Sequence, residues 1–162
     1  MRQALAAAST NLKKHAEALR QENKDALFKA CENQQLLDFF TEFSFDEEIT
    51  IGGFSLRQAN CLKKDLTWDD DFKRGLKYSF LILGSGLNGD MVAVDLQDFQ
   101  VGILFHDYFW EKKEENPRKF LVKMNCSLGQ FYLNSVQVPD YPIDAYEAAS
   151  FMNSPFTGYD DE

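Results

Sequence analysis

The residues of this chain whose types could do chemistry gather between positions 78 and 107. Gly84-Ser85-Gly86-Leu87-Asn88-Gly89 spells G-x-G-x-x-G, the glycine pattern of a phosphate cradle. Such a cradle needs a helix behind it, because the pyrophosphate rests on that helix's N-terminus. Here Asp90 and then Met91, Val92, Ala93 and Val94 follow, a strand-like run opened by a carboxylate that would repel phosphate. The motif therefore reads as a turn between strands. Its glycines are expected at positive φ, and Asn88-Gly89 is the local turn signal. Ser85 lies in Gly-Ser-Gly, but a nucleophile elbow is G-x-S-x-G with a helix behind it, and neither condition holds. Cys126 precedes an expected helix start, where the dipole could lower a thiol pKa. A buried thiol filling the core is the commoner fate of such a residue.

Histidine is scarce, with only His15 and His106. His15 falls on a polar N-terminal segment and is expected to be exposed. His106 is followed by Asp107, with Asp90 and Asp95 on neighbouring strands. A metal-dependent hydrolase built from His106, Asp90 and Asp95 is one chemistry these types allow. Against it, a zinc site wants three protein ligands rich in His or Cys, and a second His is missing. If residues 101–106 form a strand, His106 and Asp107 also point to opposite faces. The favoured reading is a structural histidine at a strand end, with Asp95 and Asp107 bonding turns. No catalytic residue, metal or cofactor is assigned.

Two stretches instead suggest a protein contact. Trp68, Asp69, Asp70 and Asp71 form an acidic run flanked by aromatics. Tyr108, Phe109 and Trp110 lead into a charged segment with Glu111, Glu114 and Glu115. Aromatic anchors carry much of the energy of interfaces. The alternatives are a solvated loop that uses Asp as turn and cap residues, and an aromatic group that belongs to the core.

The elements that must position these residues suggest an α+β fold: N-terminal helices, then a largely antiparallel sheet with C-terminal helices packed against it. Residues 1–44 are rich in Ala, Leu, Lys, Glu and Gln without Pro or Gly, and read as helical. Leu5, Ala8, Leu12, Ala16 and Leu19 make a thin apolar stripe, with Asn23 ending the first helix and Asp25 helping to begin a second. Asn33 caps a third, whose Leu36, Leu37, Phe39, Phe40 and Phe43 face inward. The first twenty residues could pack on the body, mediate self-association or fray. Residues 45–136 hold the sheet. A hairpin turns at Gly52-Gly53, strands flank 84–90, a tight turn at Asp98, Phe99 and Gln100 leads to a strand over 101–106, and another strand covers 120–124. Ser127 and Gln130 have the spacing of a capping box before a helix carrying Phe131, Tyr132, Leu133 and Val136. Residues 137–162 hold a last helix over 143–152 and an acidic tail expected to be mobile. One domain over 1–162 is the simplest organisation.

Composition narrows the partners. The chain has 162 residues, 44% hydrophobic and 14% aromatic, enough for a substantial core. Its net charge of −9, with the basic residues scattered, argues against nucleic acid and anionic membranes, whose phosphates need clustered Lys and Arg. It permits a basic protein partner. Three widely spaced cysteines, Cys31, Cys61 and Cys126, suggest reduced, mostly buried thiols in a cytoplasm. No secretory leader or membrane-spanning run is read in the sequence.

Taken together, the motifs resemble the SUKH superfamily. The resemblance rests on Leu83-Gly84-Ser85, Asn88-Gly89-Asp90, Val92-Ala93-Val94-Asp95, the strand ending His106-Asp107, and Ser127-Leu128-Gly129-Gln130-Phe131, in that order over residues 45–136. The front of the chain departs from many members, which begin with a helix and Leu-Pro, whereas the first proline here is Pro117. The resemblance implies an α+β binding protein and no enzyme. Bacterial members are associated with immunity to polymorphic toxins, each masking the toxin of its own cell, and fungal relatives act in regulating cell-wall synthesis. It implies a cognate toxin domain as partner, with a basic nuclease the type that suits the charge. Gly84, Ser85, Gly89, Asp90, Asp95, His106, Ser127 and Phe131 would then mark the family's framework. A metal-dependent hydrolase and a regulatory scaffold using the N-terminal helices are the alternatives.

Overall fold

The structure, a computed structural model, describes residues 1–10 and 12–158, without the side chains of residues 12 and 13. The acidic end of the chain, residues 159–162, lies outside the described residues, as does the Leu12 side chain of the expected stripe. The fold is α+β, with helices at both ends and two antiparallel sheets between them.

The helical front is α1 (Arg2–Ala7), α2 (Leu12–His15), α3 (Gln21–Cys31) and α4 (Gln34–Glu42). Its breaks fall earlier than the sequence suggests. Asn23 does not end a helix; it lies inside α3, buried, with Oδ1 accepting the backbone N–H of Lys63 at 2.9 Å. A polar side chain was thus placed inward to hold α3 against α5 (Leu62–Trp68), which a helix-stop reading of Asn overlooks. Asn33 does cap α4, accepting from Leu36 N–H at 2.9 Å. Leu36, Phe40 and Phe43 are buried, and Leu37 and Phe39 pack at the edge of the core. The first residues are docked: α1 buries Ala4 and Leu5 against α8 (Leu128–Gln137).

β1 (Ile49–Ile51) and β2 (Phe54–Leu56) form the expected hairpin around Gly52-Gly53. α6 (Asp70–Lys77) then leads into a four-stranded meander, β3 (Phe80–Ser85), β4 (Met91–Asp95), β5 (Gln100–Leu104) and β6 (Leu121–Ser127), paired in that order. The hairpin approaches the outer side of β3, where Arg57 N–H donates to Leu83 O at 2.8 Å and Ser85 N–H to Ser55 Oγ at 2.9 Å. This approach explains Gly84: a Cβ there would lie 2.1 Å from Ser55 O.

The glycine-rich segment is a strand connection, as read. β4 begins at Met91, and Asn88 (φ 61) and Gly89 (φ 84) take the positive-φ turn. Gly84 and Gly86 are not at positive φ, so close packing and not turn geometry is what requires them.

The strand expected over 101–106 stops at Leu104, and His106 opens α7 (His106–Glu111). Phe105 extends the apolar run past the strand end because it is itself core, 1% exposed. The capping box at Ser127 is half made. Ser127 Oγ accepts from Gln130 N–H at 3.4 Å, while the Gln130 amide donates to Asn134 at 2.6 Å and does not reach back. Phe131 and Tyr132 are fully buried, and α9 (Ala145–Met152) packs on β5 and β6. All three thiols are partly buried and unpaired. No helix among the described residues is long and apolar enough to cross a membrane.

Candidate functional site

At the start of β4, Asp90 is 1% exposed and fully used. Its Oδ1 accepts the backbone N–H of His106 at 3.0 Å and faces His106 Nδ1 at 2.7 Å, while Oδ2 accepts Ala145 N–H at 2.7 Å. One carboxylate therefore receives the first N–H of both α7 and α9, where a negative charge complements the helix dipoles. The other imidazole nitrogen, Nε2, lies 2.8 Å from Asp107 Oδ1. His106 and Asp107 do converge, contrary to the strand-based expectation, because they occupy the first turn of a helix and not alternate faces of a strand.

Asp95 occupies the opposite end of the same strand. Five residues of strand separate it from Asp90, about 17 Å along the chain. The trio His106, Asp90 and Asp95 therefore does not converge on one ion. Asp95 is fully buried, held by Arg118 and by Lys123 Nζ at 2.8 Å, with Gln97 N–H at 3.0 Å. Burial alone would push this carboxyl up, but the hydrogen bonds from Arg118, Lys123 and Gln97 outweigh it and hold Asp95 below the usual carboxylate range. Arg118 also donates to Tyr78 O at 3.0 Å, so the pair ties the end of β4 to the chain before β6. Neither cation was singled out from the sequence, where each is one of many scattered basic residues.

The two stretches read as partner contacts meet. Trp110 Nε1–H donates to Asp71 Oδ2 at 3.0 Å, which links α7 to the first turn of α6. Trp110 also meets the His106 ring edge-on at 5.0 Å. Arg74 locks the same two helices. Its guanidinium lies 4.4 Å from the Phe109 ring centroid and donates to the backbone oxygens of Phe109, Lys112 (2.9 Å) and Glu115 (3.0 Å). It thereby satisfies carbonyls at the end of α7. A cation followed by a long gap to its acceptors leaves no local sequence signal, which is why Arg74 was missed.

Within this face the residues divide. Trp68 is 78% exposed and Trp110 47%, large apolar surfaces with no structural need to be outside. Asp70, Glu111 and Glu114 are also exposed. Asp70 carries an ion pair with Lys73 at 2.6 Å. Asp69 is the N-cap of α6, accepting from Asp71 N–H at 2.9 Å, as a cap reading of the acidic run anticipates. Glu115 is half-buried beside Lys119, 3.0 Å away. Tyr108 is turned inward: its hydroxyl donates to Gly158 O at 2.7 Å and its ring packs on Phe120 and Phe156. Phe109 is core. The exposed residues of the two stretches are thus Trp68, Asp70, Trp110, Glu111 and Glu114, and the bond between Asp71 and Trp110 is where the stretches meet.

Cys126 lies within β6 and is no activated nucleophile. Burial pushes its thiol up, only partly opposed by a hydrogen bond with Tyr141. Burial likewise raises Cys31, to about 11.

Compared with known proteins, the chain matches no family model, no curated protein and no solved structure.

Proposed function

We propose that the chain is a non-enzymatic binding protein of the immunity type, acting in the cytoplasm by masking a cognate toxin domain in a stoichiometric complex. The observation that carries the reading is the bond from Trp110 to Asp71. It brings together two stretches that lie 39 positions apart, each of which carries an exposed indole and carboxylates. Exposed Trp on a rigid support is the composition of a binding hot spot, and acidic neighbours suit a basic partner such as a nuclease. The resemblance of residues 45–136 to SUKH proteins supports the same reading, and masking itself uses no metal or cofactor.

The hydrolase alternative loses support from the separation of Asp90 and Asp95. The scaffold alternative uses the N-terminal helices, of which α1 buries Ala4 and Leu5 against α8, so deleting residues 1–20 to test it would also uncover core.

The test is co-expression with the product of the adjacent reading frame. Wild-type chain restores growth and co-purifies with it. The double variant W68A/W110A, with unchanged circular dichroism, fails to do so. A chain that neither binds nor protects removes the reading.

A further inference from the structure

The two histidines face carboxylates in different ways. At His106 each ring nitrogen meets a different carboxylate, Asp90 on one side and Asp107 on the other. At His15 a single nitrogen, Nδ1, faces two: Glu47 Oε1 at 3.0 Å and Asp46 Oδ1 at 3.5 Å. One N–H cannot serve both oxygens well, and an unprotonated Nδ1 would turn its lone pair toward two anions.

We propose that His15, Asp46 and Glu47 form a site for a divalent transition-metal ion of the zinc type. One donor atom from each residue comes together with the others within 4.8 Å. Bonds of ~2.1 Å from nitrogen and oxygen to zinc imply donor–donor edges of about 3.0 Å at a right angle and about 3.4 Å at the tetrahedral angle. The observed 3.0 and 3.5 Å are edges of that size. Two carboxylates balance a doubly charged ion; carboxylate oxygen is an accepted zinc ligand beside imidazole, and here, unlike at His106, Asp90 and Asp95, the three donors converge, with the imidazole favouring zinc over magnesium, which prefers oxygen and water.

The backbone that carries His15 and Asp46 is held in register. Glu17 N–H donates to Ser44 O at 3.0 Å and Asp46 N–H to His15 O at 2.8 Å, around an antiparallel bridge between Ala16 and Phe45. That register sets His15 directly opposite Asp46. Phe45, 1% exposed, fixes the bridge to the core. Beside the donors lies an open cavity of about 520 Å³, bordered by Ser9, Thr10, Lys14, Glu48 and Thr50, with room for water to complete the coordination. His15 is 22% exposed at its side chain and is not the free surface residue the sequence suggests. A bound ion would staple the end of α2 to the segment that leads into β1.

The test uses the full chain, stripped with chelator and titrated with ZnCl2. One equivalent binds by calorimetry, and the melting temperature rises by about 5 °C or more at a hundredfold excess over Kd. Cobalt chloride gives a visible absorption band at the same stoichiometry. H15A and E47Q each abolish the band and the shift, and E47Q, at an exposed side chain, leaves the metal-free melting temperature within about 2 °C. No stoichiometric binding, an equal response to MgCl2, or unchanged zinc binding in H15A and E47Q would overturn the proposal. The masking of a toxin is independent of each of these outcomes.

Discussion

Asp90 shows how much one side chain can organise. Its carboxylate carries three hydrogen-bond contacts from two helices and sits out of water. Replacing it by Ala leaves two helix-start N–H groups and an imidazole without their acceptor. We expect D90A to lose about 3–5 kcal/mol in urea denaturation, the range for breaking a buried charged pair. D90N, which keeps the shape and one acceptor oxygen, should fall between it and wild type. Asp95 makes a different prediction, about pH. Its folded pKa lies below its unfolded value, so its contribution is full above the unfolded pKa, near 4 for an Asp, and is lost as pH falls through the folded pKa. Acid unfolding of wild type should therefore steepen below about pH 4. D95N, less stable at pH 7, should show a shallower loss over that window in a pH series of urea midpoints. The type of each residue was legible in the sequence: an Asp after Asn-Gly, an Asp at a strand end. The partners were not, because Ala145, Arg118 and Lys123 arrive from 23 to 55 positions away.

At the scale of elements, local signals carried most of the fold. Gly52-Gly53, Asn88-Gly89 and the Asp98 turn mark three connections, and the apolar runs between them are strands in the expected order. Asn33 and Ser127 mark helix starts, both seen. Where reading failed, a tertiary contact had displaced the local preference. Asn23 continues a helix because its side chain is spent on Lys63. His106 opens a helix and does not end the strand expected over 101–106, because Asp90, sixteen positions earlier, receives the first N–H of that helix. Gly84 yields the sharpest prediction at this level. A methyl group there would meet Ser55 O at 2.1 Å, and both partners are backbone in ordered strands. G84A should lose about 1–3 kcal/mol or more by overpacking and should loosen the hairpin β1–β2 from β3. Hydrogen exchange at Arg57 N–H, which donates to Leu83 O, would report that loosening directly.

Across the whole molecule, one cluster of buried apolar residues runs from Ala4 to Ala149 and supports everything on the surface. α6 and α7 are fixed on it by Phe72 and Phe109, and on each other by Arg74, so the Trp110 indole projects from a held helix, while Trp68 ends α5, which packs on α6. The exposure of Trp68 makes it separable from folding. W68A should change stability by no more than about 0.5 kcal/mol, the ordinary range for a surface substitution. The net charge of −9 adds a second signature. Association with a basic toxin should slow as salt rises, through the on-rate, while W68A and W110A act on the off-rate. The composition of this face was visible in the sequence, but its unity was not. Nothing local joins Asp71 to Trp110, and Tyr108, three positions from an exposed Glu, faces the core instead.

The chain's only two tryptophans both lie on the proposed face, so the central claim has a direct readout. Purified chain would be titrated with the product of the adjacent reading frame, catalytically disabled if it is toxic, following tryptophan fluorescence and heat together. A one-to-one complex with a shifted indole emission is expected, and a loss of more than about thirtyfold in affinity for W68A/W110A. An unchanged affinity in the double variant, or an emission that does not move while the complex forms, would contradict the central claim.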